Sequence, residues 1–455
     1  MERNPLVTVY ITNYNYGAFL QDAIDSVLEQ CYSNIEIIII DDGSSDGSSR
    51  ILDKYINHEK FQVILQNNKG LARTNNIALN MAKGKYIVRL DADDKFHPNA
   101  ISNLLEGFSS PNIAMVFGDW NVVDESGEFL YTYKRHDFQK DVTLMDIPAH
   151  GACTMFNTEY LQSVGGYDEE LRCQDGYELW FRIIDKFDVK NINKVIFDYR
   201  RHGDNLTGGE DRILSTRAKI LSKVAKKKEV DKTKCFAFLP IRGSKVDSRS
   251  MPFNEINGSY VIDRVICDLI DSKQFDKIIV STPDFGLQEY VRAKYVEKIV
   301  VHGRSFDSAK INSDLDELLY NYLNGEGDRL SHYDFGMIVG IDRPFNKPYL
   351  IQSAIDIAKI FNVDNVIGVR QNYEILFKHT GSSLKGINYD KNSLRLERDD
   401  IYQMVRGFNV FNVQRLIETG SIWGDVIGHV VFDQKSAFCL DSRLDLSLAE
   451  HLDKL

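Results

Sequence analysis

Apolar and polar residues alternate along the chain in blocks that predict strands and helices in turn. Residues 17–32 place Leu20 and Ile24 on one helical stripe. Residues 35–40 form an apolar run broken only by Glu36, which is typical of a strand covered on both faces. Similar patterns predict helices at 70–81, 98–108 and 260–270, and strands at 86–88, 113–117, 277–281, 337–341 and 366–369. This alternation indicates parallel sheets flanked by helices.

Two stretches of the chain begin alike, with an apolar strand, a polar turn and then a helix. One begins at Leu6 and the other at Cys235. Residues 223–234, just before the second, are rich in lysine and poor in apolar residues, which is typical of a linker or an exposed helix end. We therefore predict two α/β domains, covering residues 1–230 and 231–455.

Composition and charge narrow the class of protein. The chain has 455 residues, 43% hydrophobic and 27% charged, which is ordinary for a soluble globular protein of two or three domains. A net charge of -11 argues against nucleic acid as a partner. No apolar run approaches the roughly 20 residues that span a bilayer, and residues 1–5 show no signal-peptide pattern. Six scattered cysteines without metal-ligand spacing predict reduced thiols and a cytoplasmic protein.

Three carboxylates, Asp91, Asp93 and Asp94, follow the predicted strand at 86–88. Carboxylates grouped at a strand end are costly unless a positive charge lies among them. A Mn²⁺ or Mg²⁺ ion that carries a nucleotide diphosphate would supply that charge, because both ions favour oxygen ligands. The alternative is a solvated acidic turn.

Polar residues also follow the two strands before that one. Residues 12–15 follow the first strand and residues 41–46 follow the second. Ligands of parallel sheets bind at the carboxyl ends of the strands, where an aspartate can accept hydrogen bonds from a base or a ribose. An Asx turn that caps a helix explains residues 41–46 equally well, and the two roles are compatible.

Motifs occur in order along the first half: VTVYITNYN at 7–15, IIIDDGSSD at 38–46, NNKGLARTN at 67–75, LDADD at 90–94, GGYDE at 165–169, QDGYELW at 174–180 and YRRH at 199–202. As a set they resemble glycosyltransferase family 2, the inverting transferases with a GT-A fold. The resemblance implies a nucleotide diphosphate sugar as donor, commonly UDP-linked, and a glycan or lipid-linked acceptor in surface polysaccharide synthesis.

The resemblance also implies roles for individual residues. Asp175 would be the general base that deprotonates the acceptor hydroxyl. Asp93 and His202 would hold the metal on the diphosphate. The nucleotide-sugar site would comprise Thr12, Asn15, Asp41, Asp42, Arg73 and Asp91. A surface histidine at 202 and a structural ion pair at 73 are the alternatives. Two residues depart from the usual family pattern: Gln174 replaces an acidic neighbour of the base, and Asn76 replaces a glycine.

The second half carries LPIRGSK at 239–245, NGSYVI at 257–262, IVSTPD at 279–284 and LDSRLDLSLAE at 440–450. These motifs resemble cytidylyltransferases that make CMP-sialic acid or CMP-Kdo. The fold implied for the whole chain is α/β with two Rossmann-like domains, a GT-A glycosyltransferase fold followed by a nucleotidyltransferase-like domain. Nucleotide would bind at Arg242, Gly243, Ser244, Lys245 and Asp441.

The second resemblance has gaps. Cys439 stands where a metal-binding aspartate is usual, and a thiol is a poor ligand for Mg²⁺. Weakened catalysis, nucleotide binding without turnover and a structural role all remain open, with the non-catalytic roles ranked slightly ahead. For the whole chain the alternatives are a bifunctional enzyme that also makes a CMP-activated acidic sugar, and a non-catalytic nucleotide-binding scaffold. Peripheral contact with the inner face of the membrane and a homodimer through the second domain are further expectations.

Overall fold

The structure is a computed structural model, and the residues that it describes form two compact units. It describes residues 4–134, 150–203, 210–228, 233–248, 250–296, 299–310, 314–325, 330–372, 374, 376–381, 383–387 and 401–454. One unit ends before residue 210 and the other begins at Glu210, so the division comes earlier than the boundary predicted near residue 230. Part of the lysine-rich segment, residues 229–232, lies outside the described residues.

The first unit is built on one mixed sheet. Its strands are β1 Val7–Asn13, β2 Ile35–Asp41, β3 Phe61–Leu65, β4 Tyr86–Asp91, β5 Lys95–Phe96, β6 Ile113–Val123, β7 Phe129–Tyr133, β8 Met155–Asn157 and β9 Asp188–Arg200. They lie in the order β3-β2-β1-β4-β8-β6-β9-β5, and β7 pairs with β6. Strands β3, β2, β1 and β4, which are adjacent in this order, run parallel to one another.

The expectation of wholly parallel sheets is wrong for the other half of this sheet. Strand β8 runs antiparallel to both β4 and β6, and β7 runs antiparallel to β6. Apolar periodicity identifies a strand but carries no information on its direction, which depends on how the connecting segments return.

Helices cover both faces of the first sheet, as its apolar strands require. They are α1 Gly17–Leu28, α2 Ser48–Leu52, α3 Leu71–Met81, α4 Ala100–Gly107, α5 Thr158–Ser163 and α6 Asp175–Ile184. One apolar cluster includes Val9 and Ile39 with Leu20 of α1, and another includes Tyr10 and Ile38 with Leu79 of α3. Because both faces of β1 are buried, functional groups are confined to its carboxyl end.

The second unit is a second α/β domain. Its helices are α7 Glu210–Lys227, α8 Val261–Ser272, α9 Phe285–Lys294, α10 Leu315–Asn324, α11 Pro348–Phe361, α12 Val413–Thr419 and α13 Arg443–Leu452. Its strands are β10 Cys235–Pro240, β11 Glu255–Ile256, β12 Ser259–Tyr260, β13 Lys277–Thr282, β14 Ile299–Gly303, β15 Phe335–Val339, β16 Asn365–Asn372, β17 Phe377–His379, β18 Leu384–Gly386, β19 Ile401–Asn412 and β20 Ile427–Val431.

The main sheet of the second unit has the order β14-β13-β10-β15-β19-β16-β20. Strand β19 is antiparallel to both of its neighbours, while β10 is parallel to β13 and β15, so this sheet is mixed as well. All six cysteines have free thiols. Among the described helices, none combines the length and apolarity that crossing a bilayer demands.

Candidate active site

The register of three parallel strands brings the acidic motifs of the first unit to one edge of the sheet. Asn13 of β1 pairs with Asp41 of β2, and Thr12 of β1 pairs with Asp91 of β4. The Thr12 hydroxyl donates to Oδ1 of Asp91 at 3.1 Å, and Asn13 Nδ2 donates to Oδ2 of Asp41 at 2.6 Å. The site therefore lies at the carboxyl ends of β1, β2 and β4.

Asp41 and Asp42 are buried and organise the loops around them. Oδ1 of Asp41 accepts from the backbone N–H of Ser44 at 2.8 Å, as in the Asx turn considered from the sequence. Both oxygens of Asp42 accept backbone N–H groups at the start of α3, from Lys69 and Gly70 at 2.8 Å each. Both carboxylates thus shape the expected nucleotide loop from within the protein.

Asn15 has a left-handed backbone, with φ of 61°, a conformation that asparagine tolerates better than most residues. Its Oδ1 accepts from the N–H of Ser45 at 2.7 Å, and its own N–H donates to Ser44 Oγ at 2.8 Å. Asn15 therefore joins the turn after β1 to the turn after β2.

Asp93 and Asp94 are almost completely buried, with 7% and 2% of their surfaces exposed. Burial first, and then the neighbouring carboxylates, raise the pKa of both side chains. Oδ2 of Asp94 is buried without a hydrogen-bond partner among the described residues. Arg89 pairs with Asp91, and Nε of Arg200 donates to the carbonyl of Asp93 at 3.1 Å, yet the carboxyl groups remain close enough to raise one another's pKa.

The residues expected to hold the metal lie side by side. His202 Nε2 is 3.0 Å from Oδ2 of Asp93, and both side chains are nearly inaccessible to solvent. The rings of Tyr16 and Phe19 pack against the imidazole, with centroids 5.3 Å away in each case. Carboxylate and imidazole can both bind Mn²⁺, and a cation would relieve the mutual repulsion that raises the pKa of Asp93 and Asp94.

Asp175, the expected base, is the first residue of α6 and points into the first unit. Oδ2 makes an ion pair with Nη1 of Arg89 and accepts from Asn75 Nδ2 at 3.3 Å. Burial opposes ionisation, but the Arg89 charge and hydrogen bond outweigh it, so the pKa of Asp175 lies below its ordinary value. The carboxylate is thus ionised at neutral pH.

Gly151 lies against the base. A Cβ at this position would be 2.8 Å from Oδ1 of Asp175, which is closer than real Cβ atoms approach, and 3.0 Å from Nη2 of Arg89. The absence of a side chain at 151 therefore allows the chain to pass over the carboxylate.

Two residues that stood out in the sequence have structural contacts. Arg73 is more than half exposed, and its Nε is 3.1 Å from Oε2 of Glu169, which is the ion pair considered as the alternative. Asn76, the departure from the family pattern, accepts from the N–H of Tyr167 at 2.8 Å and donates to the carbonyl of Tyr167 at 2.9 Å. Asn76 thereby fixes the loop before α6.

Sequence reasoning missed Arg89, Asn75 and Gly151. A signal for Arg89 was present, because an arginine in the apolar run of β4 must be buried with a partner. Asn75 and Gly151 carry no comparable signal, since their contacts with Asp175 come from distant parts of the chain.

The second unit has a charged cleft at the carboxyl ends of β10 and β15. It is a cavity of about 200 Å³ whose charged lining includes Arg242, Arg304, Lys310, Arg406, Asp342 and Asp441. Burial, and then the charge of Arg242, lower the pKa of Arg304 to about 10. The charge of Arg242 thus disfavours that of Arg304, although Nη1 of Arg242 also pairs with Oδ2 of Asp247 at 3.3 Å, and Asp247 lines the same cleft.

The five residues expected to bind nucleotide in this unit are not all in the cleft. Arg242 and Asp441 line it, whereas Ser244 and Lys245 are exposed and are not among its lining residues. Gly243 has φ of +76° and forms the turn between Arg242 and these two residues. Of the motif at 239–245, Pro240 and Arg242 therefore line the cleft.

Three potential metal ligands also meet there. One ligand atom from each of Asp342, Cys439 and Asp441 lies within 4.8 Å of the others, the only such group of three among the described residues. Cys439 Sγ donates to Oδ2 of Asp342 at 3.1 Å, and burial followed by Asp342 raises the pKa of the thiol to about 12. Asp441 pairs with Arg406 at 2.6 Å. The protonated thiol and the paired carboxylate suit Mg²⁺ poorly.

Comparison with known proteins gives a family match in the first unit. The family described as glycosyl transferase family 2 matches residues 8–165. Chondroitin synthase of Escherichia coli is 30% identical over 210 residues, which are 45% of this chain and 30% of that protein. Hyaluronan synthase of Pasteurella multocida is 29% identical over 208 residues, which are 45% of this chain and 21% of that protein. The chain thus spans less than a third of each synthase.

Other matches cover the same half of the chain. The uncharacterized glycosyltransferase RP339 of Rickettsia prowazekii is 30% identical over 214 residues, which are 45% of this chain and 66% of that protein. The crystal structure of S. aureus TarS 1-349 in complex with UDP-GlcNAc covers 48% of this chain and 66% of that chain. Its identity is 18% and its TM-score 0.41, so it is a distant structural neighbour.

Proposed function

We propose, since residues 8–165 form a glycosyl transferase family 2 domain, that the first unit transfers a sugar from a nucleotide diphosphate donor to an acceptor hydroxyl. The observation that carries the proposal is one continuous arrangement at the sheet edge. The carboxylates of residues 91–94, which suit a cation, are linked through Arg89 to Asp175. Asp175 is an ionised carboxylate and therefore suits base catalysis.

On the donor side, the loops after β1 and β2 would bind the nucleotide, and we favour UDP from the motif resemblance. Asp41 and Asp42 pre-shape these loops, so their backbone groups are already in position before a ligand arrives. Asp91 lies at the junction of the loops and the acidic group. Asp93 and His202 would hold Mn²⁺ or Mg²⁺, which when bound offsets the negative charge of the diphosphate.

On the acceptor side, Asp175 would remove the proton of the attacking hydroxyl. The acceptor oxygen forms a bond to the anomeric carbon while the bond from that carbon to the diphosphate breaks. The proton moves to the carboxylate of Asp175, and the bonding electrons leave with the nucleotide diphosphate. A single displacement of this kind inverts the anomeric configuration.

The acceptor we propose is a growing glycan or a lipid-linked sugar. Two of the similar proteins are named chondroitin synthase and hyaluronan synthase, which links this half of the chain with polysaccharide synthesis.

A screen of nucleotide sugars tests the proposal. Purified protein with Mn²⁺ is incubated with UDP-, GDP-, dTDP- and CMP-linked sugars, and release of the free nucleotide is measured. We expect release from one UDP-sugar, and a loss of about 100-fold or more in Asp175→Asn, because general bases contribute that much. Release that is equal in wild type and Asp175→Asn would contradict the assignment of the base.

A second candidate function belongs to the second unit, whose cleft gathers the basic side chains of Arg242, Arg304, Lys310 and Arg406. We infer that the cleft binds a nucleoside triphosphate, and the sequence motifs point to CTP. Wild-type protein should bind CTP, and Arg242→Ala should weaken binding by at least tenfold through loss of one charged contact. Exposed Lys245, replaced by alanine, is the matched control.

An assay of pyrophosphate release from CTP distinguishes CTP binding from synthesis of a CMP-sugar. Pyrophosphate released from CTP in the presence of an acidic nine- or eight-carbon sugar would support the bifunctional alternative. Binding without such release would support a regulatory nucleotide site, and wild-type protein that does not bind CTP would remove the second candidate.

A further inference from the structure

Arg89 is a charged residue in the middle of a buried strand. Its neighbours in β4, Ile87, Val88 and Leu90, are apolar and almost inaccessible, and only 3% of the Arg89 surface is exposed. A guanidinium in such a position is costly unless its charge is matched by partners. The structure provides two, both of which are residues of the proposed active site.

The two partners lie on opposite sides of the proposed reaction. Nε of Arg89 is 2.9 Å from Oδ1 of Asp91 on the donor side, a charge contact without hydrogen-bond alignment. Nη1 of Arg89 makes the ion pair with Oδ2 of Asp175 on the acceptor side. Despite burial, the two carboxylates raise the pKa of Arg89 well above its usual value, so its charge is permanent.

The contacts with Asp175 distinguish its two oxygens. Arg89 and Asn75 both donate to Oδ2, and the side chain of Asn75 is completely buried. Oδ1 lies instead along the backbone of Gly151, where no side chain intervenes. The contacts of Arg89 and Asn75 therefore fix the carboxylate through Oδ2, and the backbone N–H of Gly176 adds a further hydrogen bond to it.

We propose that Arg89 is a positioning residue for the transfer reaction. It fixes the carboxylate of Asp175 so that Oδ1 faces the acceptor hydroxyl, and it holds this carboxylate at a constant distance from Asp91 on the donor side. This inference rests on the proposed function of the first unit, because it gives Arg89 a role in that reaction.

The planar guanidinium is needed because two carboxylates must be reached from one side chain. Lysine would carry the charge but offers a single ammonium group, so it can satisfy only one partner well. Arg89→Lys should therefore retain part of the activity, whereas Arg89→Gln should lose both contacts. This ranking separates a positioning role from a general need for positive charge.

The test is a double-mutant cycle on nucleotide release from the UDP-sugar that wild type uses best. We expect Arg89→Gln to lower kcat about 100-fold, as for loss of the base, while the Kd for UDP with Mn²⁺ changes less than about fivefold. Arg89→Lys should fall between wild type and Arg89→Gln. Because Arg89 acts through Asp175, Arg89→Gln combined with Asp175→Asn should be no slower than Asp175→Asn alone.

Arg182→Gln is the matched control on the same helix as the base. Arg182 pairs with Glu178 and donates to the carbonyls of Val164 and Gly166, and it makes no contact with Asp175. Its loss should lower the unfolding temperature while kcat stays within about threefold, because this largely buried ion pair supports the fold without reaching Asp175.

The outcomes separate the inference from the function on which it rests. If wild type releases nucleotide and the losses from Arg89→Gln and Asp175→Asn multiply, Arg89 acts independently and the inference is wrong. Equal losses in kcat and UDP affinity would mean that Arg89 only supports the fold, which also overturns it. If wild type releases no nucleotide from any sugar, the proposed function itself fails and the inference falls with it.

Discussion

The carboxylate of Asp175 is subject to two opposing effects, burial and a neighbouring guanidinium. Burial favours the neutral acid, and the Arg89 charge favours the carboxylate; the second prevails, so the pKa is lowered. A base with a low pKa is a weaker proton acceptor, but it is ionised throughout the neutral range. The site therefore keeps Asp175 ionised at neutral pH at the expense of its strength as a base.

The lowered pKa of Asp175 predicts a pH-dependent contribution to stability. A group whose pKa is lower in the folded state stabilises the fold above its unfolded pKa, and the stabilisation is lost as pH falls through the folded pKa. At pH 7 we expect Asp175→Asn to lower the free energy of unfolding by about 3 kcal/mol, because Arg89 loses one of two buried partners.

Denaturant unfolding of both proteins from pH 7 to pH 3 measures this difference. The two free energies should converge as pH falls below the ordinary carboxyl range, where Asp175 of the wild type takes up a proton. A difference that stays constant down to pH 3 would show that the ion pair does not stabilise the fold.

Single residues of the site were predictable where a strand end marks them. Asp41 and Asp91 directly end apolar strands, and the structure places both at one edge of the sheet. Partners of these residues were not predictable in the same way. Arg89 and Asp175 are 86 positions apart in the chain, and no local pattern in either segment specifies their pairing.

Strands and helices were predictable as elements where their apolar pattern is strong. Strand β2 was expected at 35–40 and runs from Ile35 to Asp41, and α3 was expected at 70–81 and runs from Leu71 to Met81. Strand β6 was expected to end at 117 but continues to Val123, because the polar residues Asp119 and Asn121 interrupt the apolar run without ending the strand. The apolar pattern within a strand did not indicate whether it pairs parallel or antiparallel with its neighbours, as β7 and β8 show.

Helix α7 accounts for the difference between the boundary predicted near residue 230 and the division of the units at Glu210. Its lysines, Lys226 and Lys227, form the last turn of a helix, where positive charge complements the carbonyl end of the helix dipole. Upstream, Leu214 and Leu221 are buried within the second unit. Of the two interpretations of the lysine-rich segment, a linker or an exposed helix end, residues 226 and 227 fit the second, and the helix belongs to the unit that follows.

At the scale of the whole molecule, two α/β units each present charged groups at the carboxyl ends of parallel strands, and the charges differ in kind. The first unit gathers carboxylates around Asp93, with Arg89 already paired. The second brings basic and acidic side chains to one cleft, where Arg242 pairs with Asp247 and Arg406 pairs with Asp441. The first group is thus mainly acidic, whereas the cleft of the second unit carries both signs of charge.

Calorimetric titration of UDP into the full chain, with and without Mn²⁺, tests the central claim most directly. We expect binding that Mn²⁺ strengthens by at least tenfold, and we expect Asp93→Ala to abolish this Mn²⁺ effect, because Asp93 and His202 would hold the ion against the diphosphate. UDP binding that is the same with and without Mn²⁺, or that Asp93→Ala leaves unchanged, would contradict the account.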